Sequence, residues 1–454
     1  MSKLPFTLKI NTHSPAGRCE KVLCHSVLRA LGKTRMVYDA TWGGRRIVLK
    51  VFSKFGKARH HAMREWRGLE QLQARKINSP EPLFCGRCPE GWVVATAWLD
   101  DAIAAEELWK AAETTERKVQ IVGLIATELA RHHDRGILQT DMHLGNFMIR
   151  GKEVFAIDPA MIRFVNNPID RRESIRQLAQ LAVLLPEGSG SPIESVFREY
   201  AAARSWTVGP QDVEQLHREH RRCRNRGVER GLRKFLRVNR RHQEIRNGAW
   251  RGLASRRFSE QTSLEALTTG LDEIMARGRI LKNGRTAFVS RVTLGGMDVV
   301  VKRYNPRGFL YSLRHTLKGS RAQRSWLNAN RLFLLGIPTP EPLAYVDQYK
   351  GLFLYCSYFI TEFVPGKSLY TVLRDPDTPE NQKQRLVEEV IRTMDRMADH
   401  GVNHGDLKHT NILCKDETVV LIDLDGMRVG GLPWLRRCRH QKDRARFLRD
   451  IPRR

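Results

Sequence analysis

The stretch His404-Gly405-Asp406-Leu407-Lys408-His409-Thr410-Asn411, followed by the apolar run Val419-Val420-Leu421-Ile422 and then Asp423, decides the fold of this chain. Asp423 lies 17 positions after Asp406, so a loop and a short hairpin separate the two carboxylates. This arrangement brings both side chains to one cleft. Taken singly, Asp-x4-Asn is more often a turn or a helix cap, and an aspartate after a strand is often an Asx turn. The ordered set therefore carries the prediction.

The same set occurs a second time, earlier in the chain. The stretch Thr140-Asp141-Met142-His143-Leu144-Gly145-Asn146 is followed by Ala156-Ile157-Asp158, and the two aspartates are again 17 positions apart. The stretch Ser79-Pro80-Glu81-Pro82-Leu83 likewise recurs as Thr339-Pro340-Glu341-Pro342-Leu343. Because these matches occur in one order at a nearly constant offset, they indicate a duplicated domain.

Each copy has the same order of predicted elements. Runs rich in β-branched residues at 46–51 and 298–302 predict strands. Apolar residues at helical spacing predict helices over Ala62–Arg75 and Arg321–Leu335. A second strand and a long helical region then lead to the Asp-x4-Asn loop. We predict an α+β fold of two protein-kinase-like domains in tandem, each with a small sheet-rich N-lobe and a helical C-lobe.

The domain boundaries follow from the repeats and from one basic segment. Residues 218–257 contain fifteen Lys and Arg against three acids, with Leu232, Phe235 and Leu236 at helical spacing. We predict a first kinase-like domain over 1–217, a basic helical tail and linker over 218–262, and a second kinase-like domain over 263–454.

Phosphoryl transfer to a hydroxyl needs cations at the phosphates, oxygen ligands for a metal and a carboxylate that orients the hydroxyl. The second half supplies these groups in order. Lys302 ends a strand and can reach phosphates, and Asp406 can accept the hydroxyl proton. Asn411 and Asp423 offer the hard oxygen ligands that suit Mg²⁺.

The first half supplies a matching set. Its members are Lys50, Glu65, Asp141, Asn146 and Asp158. Glu65 follows the lysine strand on a predicted helix, where its carboxylate can pair with the Lys50 ammonium and hold it ready.

These motifs resemble those of the bacterial lipopolysaccharide core kinases, the family that phosphorylates Kdo or heptose sugars of the inner core. In the second half the resemblance covers roughly residues 265–430 and rests on Val301–Asn305, Arg324–Trp326, Gly336–Pro340, Thr361–Gly366 and His404–Asn411. The first half looks like the same family over roughly residues 35–170, through Gln139–Phe147 and Ile157-Asp158.

The resemblance implies a protein-kinase-like fold, ATP and Mg²⁺ as cofactors, and a sugar hydroxyl on a membrane-embedded glycolipid as acceptor. By analogy Lys302 binds phosphate, Asp406 is the catalytic base, and Asn411 and Asp423 hold the metal. The segment from Glu362 to Val364 corresponds to the hinge that meets adenine through its backbone. Asp141, Lys50, Asn146 and Asp158 take the same roles in the first half.

Several departures from the family pattern suggest that only one domain is fully competent. Neither half has a Gly-rich phosphate loop, since Gly43-Gly44 and Gly295-Gly296 are typical of hairpin turns. Ser325 stands where the first half has Glu65. In the first half Gln139-Thr140 replaces His404-Gly405, and Pro159-Ala160 follows Asp158. We predict activity in the second domain, with the first as a pseudokinase or acceptor platform.

The formal net charge of +29 indicates an anionic partner. Besides residues 218–257, the chain from Leu435 onward carries nine Lys and Arg against two acids. Each basic run is either a solvated helical face or a contact with an anionic surface. No RNA-stacking or zinc-finger pattern supports nucleic acid. With no secretory signal and no long apolar run, we expect a cytoplasmic protein peripherally associated with the inner membrane.

Four of the cysteines have a spacing that is compatible with a zinc site. Cys85 and Cys88 have the spacing of half a zinc site that Cys19 and Cys24 could complete, but a loop with two free thiols is the preferred interpretation.

Two alternative functions stay open from the sequence. One is a protein kinase, and the other is a non-catalytic pseudokinase that binds anionic glycolipid or nucleic acid.

Overall fold

The structure is a computed structural model that describes the whole chain except residues 1–3, 33, 54–55, 186–191, 307, 309–312, 314, 317, 416, 450 and 452–454. The chain divides into two compact units, Met1–Cys223 and Arg224–Arg454. Among the described residues, no helix combines the length and the apolar character needed to cross a membrane.

The sheet-rich part of the first unit closes into a barrel with the strand order β1-β2-β3-β4-β6-β5. Its elements are β1 (Phe6–Ser14), β2 (Ala16–Leu31), β3 (Arg35–Trp42), β4 (Arg45–Ser53), α1 (Ala58–Ala74), β5 (Pro82–Cys88) and β6 (Gly91–Ala97). Ile47, Leu49 and Val51 alternate along β4 and are buried in the barrel core. The sequence predicts a sheet in this region but not its closure, because closure depends on the pairing of β1 with the distant β5.

The remainder of the first unit is mainly helical. Its elements are β7 (Ile103–Ala104), α2 (Ala105–Ala111), α3 (Thr115–Asp134), β8 (Ile137–Gln139), β9 (Phe147–Arg150), β10 (Glu153–Ala156), β11 (Ile162–Phe164), α4 (Arg171–Ala182), α5 (Pro192–Ala203) and the first part of α6 (Pro210–Lys234). Helix α6 continues past Cys223, so its residues 224–234 belong to the second unit. Helices α3, α4 and α5 enclose a core that includes Ile125, Leu129 and Phe197.

The second unit contains a seven-stranded sheet with the order β12-β13-β17-β18-β16-β15-β14. The elements of this part are β12 (His242–Asn247), β13 (Trp250–Ser255), α7 (Arg256–Ser259), α8 (Leu271–Arg277), β14 (Arg279–Asn283), β15 (Ala287–Leu294), β16 (Met297–Tyr304), α9 (Arg321–Leu334), β17 (Pro342–Lys350) and β18 (Phe353–Glu362).

The hairpin β12-β13 corrects the prediction that residues 218–262 are a helical tail and linker. Helix α6 ends at Lys234, and β13 then pairs with β17 in the sheet of the second unit. Ile245, Trp250 and Leu253 are buried, while the neighbouring arginines point outward. The dense positive charge obscured this strand pattern in the sequence.

The helical part of the second unit follows β18. Its elements are β19 (Lys367–Ser368), α10 (Leu369–Arg374), α11 (Glu380–Asp399), β20 (Val402–Asn403), β21 (Ile412–Lys415), β22 (Thr418–Leu421), β23 (Arg428–Val429) and α12 (Pro433–Arg449). Trp326 of α9 is fully buried in the core of this part and donates an indole hydrogen bond to the carbonyl of Phe235 at 2.9 Å.

Local predictions from the sequence agree with these elements. The helix predicted over Ala62–Arg75 corresponds to α1, and that over Arg321–Leu335 to α9. Gly43-Gly44 and Gly295-Gly296 connect β3 to β4 and β15 to β16, and all four glycines have positive φ. Two-residue hairpin turns require this conformation, so the prediction of turns at both places is confirmed.

The four cysteines of the suggested zinc site lie on strands. Cys85 and Cys88 are buried on β5, so the prediction of a loop there is wrong. Burial raises the pKa of the Cys85 thiol to about 12 and that of the Cys88 thiol to about 11. Within the described part of the chain, no three His, Cys, Asp or Glu side chains are grouped to hold a metal.

A buried aspartate in the second sheet gives a testable pH dependence. Asp347 on β17 is 5% exposed, and burial raises its pKa to about 7 from an ordinary value of 3.8. The folded chain therefore binds a proton that the unfolded chain releases. The stabilisation from this group is complete below about pH 4 and is lost as the pH rises to about 7.

We expect Asp347→Asn to raise the melting temperature more at pH 8 than at pH 5, because asparagine has no charge to bury. Thermal unfolding of the full chain at both pH values measures this difference. Asp377→Asn, at an exposed position, is the control variant. An equal shift at the two pH values would contradict the assignment of the proton to Asp347.

Candidate active site

The second unit has a cavity of about 530 Å³ whose walls come from the sheet and from the loops after it. Lys302 of β16 and Asn411 and Asp423 of the motif loops line it. Glu362 and Val364, at and just beyond the end of β18, line the same cavity. The structure thus brings together, in one pocket, the residues predicted for nucleotide and metal in the second half.

Lys302 reaches from β16 to the carboxylates of the loop after β22. Its Nζ donates to Asp423 Oδ1 and lies 3.9 Å from Asp425 Oδ1. Burial lowers the pKa of the Lys302 ammonium, but Tyr304 and the two aspartates outweigh burial and hold the pKa above its ordinary value. The lysine is therefore a permanent cation in the cavity.

Asp423 follows β22 with a left-handed backbone, at a φ of 62°. Few residues other than glycine adopt this conformation, and aspartate is among those that do. Burial raises the pKa of Asp423, but the nearby Lys302 ammonium outweighs it, so the pKa stays below its ordinary value. Asp423 consequently presents an ionised carboxylate in the cavity.

The Asp-x4-Asn loop is held by its own hydrogen bonds. The side-chain amide of Asn411 donates to the backbone carbonyl of Asp406 at 2.8 Å, and Ile422 N donates to the Asn411 carbonyl at 3.0 Å. Because the amide nitrogen is the group used in this bond, the side-chain oxygen of Asn411 is left as an acceptor. This oxygen and the Asp423 carboxylate are hard donors of the kind that Mg²⁺ takes.

Asp406 lies beside the cavity, next to the last helix. One oxygen accepts from Lys408 Nζ at 3.1 Å, and the other accepts from Arg446 of α12 at 2.6 Å. Asp443 of the same helix accepts from Gly405 N at 3.1 Å. The basic C-terminal run predicted from the sequence thus includes a helix that packs against the Asp406 loop.

Gly405 is needed for the path of this loop. Its φ is +81°, and a Cβ at this position would lie 2.4 Å from the carbonyl oxygen of Gly426. The first unit has Thr140 at the corresponding place, where both its N and its hydroxyl donate to the Met161 carbonyl. The two loops therefore differ just before their aspartates.

The second carboxylate near Lys302 was not found by reasoning from sequence. Ser325 of α9, at the position of Glu65, shares a 2.7 Å hydrogen bond with the hydroxyl of Tyr304 and makes no ion pair. Asp425 instead provides the second carboxylate near Lys302, and it also binds Arg321. The stretch Asp423-Leu424-Asp425 was the available signal, since it contains a second acid two positions after the first.

The first unit repeats much of this geometry. Lys50 Nζ donates to Glu65 of α1 and lies 3.9 Å from Asp158 Oδ1. Asp158 has a φ of 60°, matching Asp423. The side-chain amide of Asn146 donates to the carbonyl of Asp141 at 2.7 Å, as Asn411 does to Asp406.

One ion pair distinguishes the first unit. Both oxygens of Asp158 accept from the guanidinium of Arg35, at 3.1 and 2.9 Å. Burial raises the pKa of Asp158, but Lys50 and Arg35 outweigh it and hold the pKa well below its ordinary range. A bidentate arginine satisfies a carboxylate in the plane where a metal would bind.

Strand pairing shows which residue replaces Arg35 in the second unit. Val37 pairs with Lys50 in the first sheet, and Val289 pairs with Lys302 in the second. Two residues before each valine stand Arg35 and Ala287, respectively. The second unit therefore has a methyl group where the first has the guanidinium that binds Asp158.

Residues 283–451 match the model of the lipopolysaccharide kinase (Kdo/WaaP) family. This range lies within the second unit and includes the residues between Val289 and Leu424 that line the cavity of about 530 Å³. The match confirms the resemblance predicted for the second half, and the prediction of a kinase is confirmed with it. No curated protein matches the chain at a significant level.

Solved protein kinases show a more distant likeness. The kinase domain of Mycobacterium tuberculosis PknI has a TM-score of 0.28 and 17% identity, over 42% of this chain and 89% of that one. Vaccinia related kinase 3 has a TM-score of 0.32 and 9% identity, over 51% of this chain and 93% of that one.

Proposed function

We propose that the second unit transfers the γ-phosphate of ATP to a sugar hydroxyl of the lipopolysaccharide inner core, on Kdo or heptose. One observation carries this proposal. Lys302, Asn411 and Asp423, which are far apart in sequence, line a single cavity with the segment at the end of β18, in a unit that matches the Kdo/WaaP family.

In this proposal the cavity binds the nucleotide. The backbone from Glu362 to Val364 meets adenine, and the Lys302 ammonium binds phosphate oxygens in place of its present carboxylate partners. Asp423 and the side-chain oxygen of Asn411 would hold Mg²⁺, which neutralises phosphate charge when bound. The cavity volume of about 530 Å³ is within the usual range for small-molecule sites.

Asp406 serves as the base that orients the acceptor. Its carboxylate accepts the proton of the attacking sugar hydroxyl as that oxygen bonds to the γ-phosphorus and the bond to the ADP leaving oxygen breaks. Lys408 and Arg446 hold this carboxylate by one oxygen each, which fixes its orientation.

We infer that the first unit is a second copy of the fold that does not catalyse. Its Asp158 carboxylate is occupied by Arg35 through both oxygens, which opposes metal binding at that position. Its Lys50–Glu65 pair and its Asn146 bond support the common origin of the two units.

The direct test is transfer of labelled phosphate from ATP to lipopolysaccharide core by the purified full chain. The product is read by mass spectrometry as one added phosphate on a named sugar. Labelling of a protein instead of the saccharide would favour the protein-kinase alternative. ATP binding without any transfer would favour the non-catalytic binder.

We also propose that the chain associates with an anionic membrane surface. On α6, Arg230, Arg233 and Lys234 are exposed at positions that share one helical face. Leu236 and Val238, just beyond, are 43% and 55% exposed. Exposed cations beside apolar side chains suit a leaflet of acidic phospholipid, at roughly 1 kcal/mol for each well-placed cation.

We expect the full chain to sediment with vesicles that contain acidic phospholipid and to be released as salt rises, because the attraction is screened. Reversing Arg230, Arg233 and Lys234 together to glutamate should weaken this binding. Vesicles of neutral lipid are the control. Binding that is the same at low and high salt would contradict an electrostatic contact.

A further inference from the structure

A second basin lies on the other side of the Asp406 loop. It has a volume of about 350 Å³ and is formed by α10, the Asp406 loop and the end of α12. Its lining residues are Tyr370, Arg374, Lys408, His409, Thr410, Arg449 and Ile451.

The lining of the basin is cationic. Arg374, Lys408 and Arg449 are all exposed, and the lining includes no carboxylate side chain among the residues that the structure describes. The guanidinium of Arg374 lies 3.8 Å from the centroid of the Tyr370 ring, and that ring is itself 45% exposed. Two guanidinium groups and an ammonium favour a compact anion, for which guanidinium offers paired donors.

The position of the basin links it to the proposed chemistry. Lys408 Nζ lies 3.1 Å from Asp406 Oδ2, so the basin begins one side chain from the proposed base. Thr410 lines both this basin and the nucleotide cavity, so the two share a wall. A molecule held in the basin therefore lies beside Asp406 and near the nucleotide.

The first unit differs from the second at a position that matches the lining of the basin. Strand pairing aligns the two units in this region, because Ala104 pairs with Met148 and Ser368 pairs with Leu413. Met148 and Leu413 each lie two residues after the asparagine of their Asp-x4-Asn loop. The residue two positions after Ala104 is Glu106, and the residue two positions after Ser368 is Tyr370. Glu106 pairs at 2.7 Å with Lys110, which stands at the position of Arg374, so these two positions carry no net positive charge in the first unit.

We propose that the basin binds the negatively charged group of the saccharide acceptor, a phosphate or a carboxylate on the sugar, through Arg374, Arg449 and Lys408. The exposed face of Tyr370 lies against the sugar ring. This inference rests on the proposed function for the identity of the acceptor as a sugar. It adds that the acceptor is recognised by charge, in a site separate from the nucleotide cavity.

The test compares wild type with Arg374→Glu, Arg449→Glu and the double variant, using a soluble deacylated core fragment as acceptor. We expect the KM for acceptor to rise about tenfold for each single variant, because each removes a charge-assisted hydrogen bond. The KM for ATP should stay within about twofold. Arg392→Glu, on the exposed face of α11 and outside the basin, is the matched control and should leave both values unchanged.

Direct binding separates this inference from the proposed function. Titration calorimetry of the full chain uses a phosphorylated hexose, a uronic acid and the neutral parent sugar. Binding of one or both anionic sugars, absent for the neutral sugar and lost in the double variant, supports the basin even if no phosphate transfer occurs. If the double variant binds these anions or uses the acceptor as wild type does, the inference is overturned, whether or not wild type is a kinase. Thermal unfolding of each variant, with Arg374→Gln as a variant that keeps most of the side-chain size, shows whether a loss of anion binding comes from misfolding.

Discussion

Replacing Asp406 by asparagine will lower phosphate transfer to the acceptor by about 10²- to 10⁴-fold, the range that a general base contributes. Asparagine keeps the size of the side chain and can still accept from one of Lys408 and Arg446 through its single oxygen, but it cannot take up the hydroxyl proton. The expected loss is in kcat, since Asp406 does not line the nucleotide cavity. Steady-state kinetics with ATP and lipopolysaccharide core measure it.

The matched control is Asp141→Asn in the first unit. Asp141 occupies the same place after its strand, with Asn146 bonded to its carbonyl as Asn411 is to that of Asp406. We expect activity within about twofold of wild type, because the first unit is proposed to be non-catalytic. If Asp141→Asn lost as much activity as Asp406→Asn, the assignment of catalysis to the second unit alone would be wrong.

Replacing Asp423 by asparagine will weaken Mg²⁺-dependent ATP binding at least about tenfold and will reduce transfer further. The variant removes the negative charge that offsets Lys302 and that would hold the metal. The remaining oxygen of Asn411 is a neutral donor and does not replace it. Titration of the full chain with ATP, with and without Mg²⁺, separates the metal-dependent part of the affinity.

Asp158→Asn provides the comparison for this variant. Because Arg35 already occupies both oxygens of Asp158, we expect no change in Mg²⁺-dependent binding. Loss of half the binding stoichiometry in Asp158→Asn would show that the first unit also takes the nucleotide. That result would contradict the proposal that Arg35 keeps a metal from Asp158.

Local sequence patterns were sufficient for much of the site. The strand that bears Lys302, the helix that bears Ser325 and the loop from Asp406 to Asn411 are contiguous segments whose periodicity and turn residues act within a few positions. Asp158 and Asp423, each 17 positions after its paired aspartate, also share one backbone conformation.

Other contacts could not be predicted because they join distant segments. Arg35 meets Asp158 across 123 positions, and Arg446 meets Asp406 across 40. Nothing in a basic C-terminal run distinguishes the arginine that faces a catalytic loop from those that face solvent. The hairpin at 242–255 was missed for a similar reason, since its pairing with β17 is some 95 residues away in the chain.

The amino-acid sequence by itself determined the strand and helix around each lysine, the duplicated Asp-x4-Asn and strand-end aspartates, and the resemblance of the second half to the lipopolysaccharide kinase family. These depend on short-range preferences of the backbone and on residue types at fixed spacing. Only the tertiary structure decided which carboxylate each cation meets: Lys302 binds Asp423, and Arg35 binds Asp158. Charge pairing depends on distances of a few ångströms between side chains, and those distances are set by how the strands and loops pack.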